Sequence, residues 1–393
     1  MQDNELEKKY EERHYKNLKA IAGQVEKLYN QMIQQFSRIA AGYNYYDNPS
    51  IQRKNTWFHN NALKKEIDAY LKKFSGDLEA LLRKQFEIAW TLAENKQDAL
   101  FVKILKAAGI VSAGVGLYKL FNRILPAITP AKGASLTVSA IKSFDEVLTA
   151  PRRLEAMNAF INRTVKGLKL SDRVWNLADG NLKMIEGLLS NGILEGKSAV
   201  EISQTLNQYL RAPSIFFRRV RNKETGELEM SGSAKAYHRG KGVYRSSRAN
   251  CMRLAITETN AAYRMADHER WKQNPFVVGF EVRLSGSHPV FDVCDNLKGK
   301  YPKDFVFTGF HPQCLCHAVG VTMNMDEFGK YQESILNGTD DTFDLKSVNS
   351  VTQVPAGFND WVDKNKDRAK GWASLPYFLS QNPTYCPTLK DLL

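Results

Sequence analysis

Cysteine and histidine are scarce in this chain of 393 residues, with five of the first and seven of the second. So few cysteines, with no apolar segment in the opening Met-Gln-Asp-Asn-Glu-Leu-Glu-Lys-Lys, speak against a secreted disulfide framework and for synthesis in a cytoplasm. No apolar run reaches the roughly 18 to 20 residues that a bilayer-spanning helix needs; the stretch between Lys106 and Lys119 stops at about a dozen. There is no HExxH and no nucleophile triad, so no catalytic residue is assigned and an enzyme is not expected. Helix-turn-helix, RNA-recognition and classical finger spacings are missing as well. Acidic residues are outnumbered, 42 against 55 basic ones, giving a formal charge of +13 and a pI near 9.3. That balance favours an anionic partner, nucleic acid ahead of a membrane surface. An apolar fraction of 43% and a charged fraction of 25% exclude a disordered tail.

What little cysteine and histidine there is gathers in one place. The stretch from Ser285 to His317 holds three of the five cysteines and three of the seven histidines. Two His-Pro steps, His288-Pro289 and His311-Pro312, precede Cys294 and Cys314, so two ligand-bearing bends can face one another. Cys294, Cys314 and Cys316, completed by His288 or His311, supply the four ligands Zn²⁺ favours in a closed structural site, with His317 as a spare. On a regular strand Cys314 and Cys316 point to opposite faces, so the site requires Pro312 to open a turn. The bland alternative is cysteines as small buried hydrophobes in a reducing compartment.

Around this knuckle the sequence reads as α+β: a mainly helical N-terminal half, then a small α+β domain with a partly helical tail. Residues 1–125 are expected to form a helical arm, 126–211 a further helical region, 212–325 the α+β domain and 326–393 the tail. Leu18, Ile21, Val25, Leu28, Met32 and Phe36 recur at helical steps, as do Leu71, Phe74, Leu78, Leu81, Leu82 and Phe86. A turn is expected over Ser190–Ser198, followed by a capping box, Ser198-Ala-Val-Glu201, opening a helix to Leu210.

Ile215–Arg221 and Leu228–Met230 read as two strands of a hairpin, and the Gly/Ser-rich segment 231–242 as a mobile loop. Here Arg218, Arg219, Arg221, Lys223, Lys235, Arg239, Lys241, Arg245 and Arg248 meet little local acid, a pattern suited to double-stranded DNA held by its phosphates without reading bases. A solvated basic hairpin is the plain alternative. A helix capped by Ser246-Ser247 and running to about Lys272 should bury Met252, Ala255, Ile256, Thr259, Tyr263 and Ala266, and strands Phe276–Leu284 and Cys316–Thr322 should flank the knuckle. With few apolar residues inside the loop, the domain is expected to need its metal as a staple. Trp361, Trp372, Tyr377 and Phe378 are the expected anchors of the tail.

The pattern Asp292-Val-Cys294-Asp-x-x-x-Gly299-x-Tyr-Pro302, followed by His311-Pro-x-Cys314-x-Cys316, resembles the C-terminal domain of phage Mu protein-F-like minor head proteins, the head-morphogenesis family of tailed bacteriophages. Upstream, Arg253-Leu-Ala-Ile-Thr257-Glu258-Thr-Asn260-x-Ala262-Tyr263 is similar to that family's Arg-Thr-Glu helix, with Ile256 where an arginine usually stands. Phe291 occupies the place of the family's first cysteine, so either His288 serves in its stead or the site has lost its metal. The resemblance covers roughly residues 246–321, and the tail to Asn382 more loosely. It implies a structural protein bound to the phage portal protein and other capsid proteins, inside the head near the portal, with the host cytoplasm as its site of assembly. It implies no small-molecule substrate.

Two other classes compete. A knuckle with an open fourth position beside Glu258 suits a metal-dependent hydrolase or toxin-like effector carried in the virion. The small-residue apolar segment at 106–119 suits a membrane-active ejection protein, which meets a membrane only if ejected.

Overall fold

The computed structural model describes residues 4–42, 61–107, 154–194, 197–211, 219–222, 226, 228–230, 247–286, 291–336, 346–372 and 374–392. They form helices α1 (Asn4–Gly42), α2 (Asn61–Ala107), α3 (Leu154–Asn162), α4 (Leu170–Leu194), α5 (Ala199–Arg211) and α6 (Ser247–Gln273), the strands β1 (Arg219–Arg221) and β2 (Leu228–Met230), and a C-terminal region. That region runs β3 (Val277–Arg283), α7 (Val293–Leu297), β4 (Gly299–Tyr301), β5 (His317–Thr322), α8 (Met325–Leu336), α9 (Ala356–Ala369) and α10 (Tyr377–Ser380), and closes with two short 3₁₀ turns. The expected α+β class holds: the chain is mostly helical, with a small antiparallel sheet.

Two compact units share these elements. One comprises residues 18–85 and 161–258, the other 1–17, 86–160 and 259–393. The division is not linear, since the first turns of α1 belong with the C-terminal residues.

In the first unit the two long stripes become core, with Ile21, Val25, Met32, Phe36, Leu71, Leu78 and Leu82 almost wholly buried, while Leu28 and Leu81 are only half-buried. Ser198 caps α5 as the sequence foretold: its hydroxyl accepts from Glu201 N at 3.3 Å and Glu201 Oε2 accepts from Ser198 N at 2.8 Å. The turn expected over Ser190–Ser198 begins late, because α4 continues to Leu194. Ser-Asn-Gly imitates a breaker there, yet Gly192 lies inside the helix where a Cβ would sit 2.9 Å from the side chain of Ile202. Glycine at that point permits a close helix approach. Strands β1 and β2 pair antiparallel, Arg219 opposite Met230 and Arg221 opposite Leu228, as the hairpin reading requires.

Helix α6, whose residues from Thr259 on belong to the second unit, differs from its expected face. Ala255, Thr259, Tyr263 and Ala266 are buried but Met252 and Ile256 are half-buried, and from Glu258 to His268 nearly every side is covered, polar residues included. A helix enclosed all round has no single apolar stripe to betray it. Next to it lies a three-stranded antiparallel sheet ordered β4-β3-β5, with Phe280 opposite both Tyr301 and Gly320. The strand β4 comes from within the knuckle loop.

That loop overturns the expectation of a segment poor in apolar residues. Leu297, Tyr301, Phe305, Phe307 and Phe310 are all buried, and each aromatic side chain contributes on the order of 2 kcal/mol by burial. Tyr301 and Phe305 meet at a tilt, 4.5 Å between centroids, and Phe307 and Phe310 likewise at 4.9 Å. The tail docks on the same core: Phe378 meets Phe310 at 5.6 Å and Trp361 at 5.3 Å, with Trp372 and Tyr377 packed alongside.

Candidate metal centre

Sequence places Cys294 at the start of α7. Asp292 is the N-cap, its Oδ1 accepting from Cys294 N at 2.7 Å, while Asp295 Oδ2 accepts from Asp292 N at 2.8 Å. This reciprocal pair is a capping box that fixes the cysteine at a helix entrance. The second bend is the turn that Pro312 had to open: Cys314 N donates to the carbonyl of His311 at 3.1 Å, and Gln313 takes the left-handed conformation with φ 59°.

The two bends meet. Sγ of Cys294 and of Cys314 lie 3.7 Å apart, and a nitrogen of His311 completes a group whose ligand atoms all lie within 4.8 Å of one another. A tetrahedral zinc with thiolates at about 2.3 Å sets their sulfurs about 3.8 Å apart, so the two sulfurs already stand at a chelating separation. Cys316, buried two residues on, stands beside them. All three cysteines are free thiols and at most 2% exposed. Cys294, His311 and Cys314, with Cys316 beside them, can hold a metal ion.

Electrostatics single out Cys314. The neighbouring thiols of Cys294 and Cys316, with Arg264 and the N–H of Phe310, hold its pKa well below the ordinary thiol value despite burial. Cys294 is pushed up, chiefly by its hydrogen bonds to the other two, and Cys316 rises to about 12 as the bond to Cys314 and burial outweigh its bond to Cys294.

His311 Nε2 lies 3.1 Å from Asp292 Oδ2, and its Nδ1 lies 2.8 Å from the Pro312 carbonyl. Both neighbours are acceptors, so a metal can take either ring nitrogen only by displacing one of these contacts. Asp292 thus serves both bends at once, capping the helix of Cys294 and orienting His311.

Behind the turn stands α6. Asn260 Nδ2 donates to the Cys314 carbonyl at 3.0 Å, and its Oδ1 is 2.6 Å from Nε2 of the buried His14. Arg264 donates from one terminal nitrogen to the Thr308 carbonyl at 2.9 Å and from the other to those of Cys314 and Cys316, each at 2.6 Å. Reading the sequence for ligands missed these residues and Asp292. Asp292-x-x-Asp295 before a cysteine was a visible capping signature; Asn260 and Arg264 carry no signal until α6 is known to be enclosed.

The remaining candidates fall elsewhere. His317 opens β5 outside the ligand group, its pKa lowered chiefly by burial. His288 lies outside the described residues, as do Arg218, Lys223, Lys235, Arg239, Lys241 and Arg245 and nearly all of the apolar segment at 106–119. Arg219 and Arg221 stand on β1. Arg248 is ion-paired with Glu26 at 2.8 Å, which makes it a structural contact of its own unit. Glu258 accepts from Arg163 and Arg173, each at 2.6 Å. Burial alone would raise its carboxyl, but the two guanidiniums prevail and hold it below the usual range. Among the described residues no helix is long and apolar enough to cross a membrane.

Compared with known proteins, the chain matches no family model, no curated protein and no solved structure.

Proposed function

We propose that this chain is a structural minor head protein of a tailed bacteriophage, and that the ion at its Cys/His centre is a structural zinc. The observation that carries the reading is the convergence of Cys294, His311 and Cys314, whose two sulfurs stand 3.7 Å apart, with the buried Cys316 beside them, on the residues that bear the family resemblance. Three sulfurs and one imidazole nitrogen make a closed set suited to Zn²⁺, with no open position for water. Zinc there would supply cross-linking of two bends; the chain's own residues supply the capping, the carboxylate beside His311 and the carbonyl frame. Glu258, already held by two arginines, favours the structural reading over the hydrolytic one. The hairpin β1–β2 is the proposed contact to DNA backbone, and the portal and capsid proteins are the proposed protein partners.

Two measurements on the full chain test this. Elemental mass spectrometry should find about one zinc per chain, absent from Cys294→Ser and Cys314→Ser. Virions of the phage that encodes the chain should contain it in low copy, co-purifying with portal complexes. A zinc-free parent chain overturns the metal assignment, and absence from DNA-filled heads overturns the head-protein assignment. Replacing Arg219 and Arg221 by Gln should lower the slope of log affinity for duplex DNA against log salt by about 2, from roughly 0.9 per phosphate contact.

A further inference from the structure

Arg264 is a buried cation without a carboxylate. It is 5% exposed, its guanidinium lies over the Phe307 ring at 5.1 Å, and its hydrogen bonds go to three main-chain carbonyls. The acid nearest along α6, Asp267, is taken by Lys96 at 2.5 Å and Gln97 at 2.6 Å. Among the described residues no carboxylate forms an ion pair with Arg264. A guanidinium is a permanent cation, and burying one without a counter-charge is strongly unfavourable. Carbonyl dipoles satisfy its N–H groups but leave its charge in place.

The required opposite charge lies in the turn those carbonyls belong to. Three thiolates and a neutral imidazole around a divalent cation leave one net negative charge. The guanidinium offsets it. We propose that Arg264 is the resident counter-charge of the Cys294/His311/Cys314/Cys316 centre and, through the same side chain, fixes the carbonyls of the turn that carries two of its ligands. The inference rests on the zinc reading and adds to it a residue outside the ligand set. One further feature points the same way. Gly309, with φ 120°, is the residue whose absent side chain admits the guanidinium, since a Cβ there would lie 2.5 Å from its nitrogen. The backbone makes room for this cation at the centre.

The test is competition for zinc between the full chain and a chromogenic chelator, in the parent, Arg264→Met and Arg264→Lys, with circular dichroism recorded on each. Methionine keeps apolar bulk without charge; lysine keeps the charge but cannot reach three carbonyls. The expected result is affinity weakened about tenfold or more in Arg264→Met and restored to within about threefold of the parent in Arg264→Lys. Parent-like affinity in Arg264→Met overturns the proposal, and so does equal weakening in the two variants, which would leave only the carbonyl frame. If Arg264→Met does not fold, Arg264→Lys decides: a folded, zinc-loaded lysine variant supports the counter-charge, and a lysine variant that fails alike overturns it. A parent chain that binds no zinc would instead remove the centre itself, so the two failures are distinct.

Discussion

Asp292 carries two tasks on two oxygens, and they can be separated. Oδ1 caps α7 at 2.7 Å and Oδ2 orients His311 at 3.1 Å. Asparagine retains a capping acceptor about as good as aspartate but brings no negative charge to the imidazole. Asp292→Asn should therefore fold with stability within about 0.5 kcal/mol of the parent and bind zinc about tenfold more weakly. Asp292→Ala loses the cap as well and should cost about 1 kcal/mol more in urea denaturation. Zinc affinity unchanged in the asparagine variant would show that Asp292 acts only as a cap. The ligands themselves were legible in the sequence because cysteine is so rare in it. Their supports were not, because a polar residue on a helix face reads as solvent-facing until that helix is enclosed.

At the scale of elements, the first turns of α1 illustrate the same limit from another side. Lys96 of α2, 2% exposed, donates to Asp267 of α6 at 2.5 Å and to Glu11 of α1 at 3.1 Å, and Tyr263 donates to Glu11 at 3.1 Å. His14 stacks on Tyr263 at 3.9 Å. Glu7, one turn earlier, is raised by burial to about 7 despite the attraction of Lys96 and Arg283. Its folded pKa lies above its unfolded value near 4.5, so its contribution is fully present below about 4.5 and is lost as pH rises through about 7. Glu7→Gln removes that loss. The variant should gain in melting temperature relative to the parent on going from pH 5 to pH 8, where the full shift corresponds to roughly 3 kcal/mol. A pH-independent difference between the two would show that Glu7 is not the titrating group. Sequence periodicity made α1 plain, and with it the stripe from Leu18 to Phe36, but Glu7, Glu11 and His14 look like an ordinary charged helix face. Strand β4 escaped for a different reason: three residues, Gly-Lys-Tyr, are too few to show an alternation.

For the whole molecule the question is how much of the C-terminal region would depend on the proposed zinc. A loop of few apolar residues would make the ion a folding staple, with the protein unfolded in its absence. The loop is instead filled by Tyr301, Phe305, Phe307 and Phe310, and the tail closes over them through Phe358 and Phe378. Those side chains hold the sheet and α6 together by burial that no chelator touches. A bound zinc would add a cross-link between the bends at Cys294 and at His311–Cys316, which the His311–Asp292 pair already brings together. Removing zinc with a strong chelator should therefore leave far-UV circular dichroism nearly unchanged. Amide exchange should quicken in residues 292–298 and 310–317 while β3 and α6 stay protected, since local opening need not reach the free energy of global unfolding. Loss of the helical signal with the metal would reverse the ranking, making the Cys/His centre the foundation of the fold and the aromatic core its consequence.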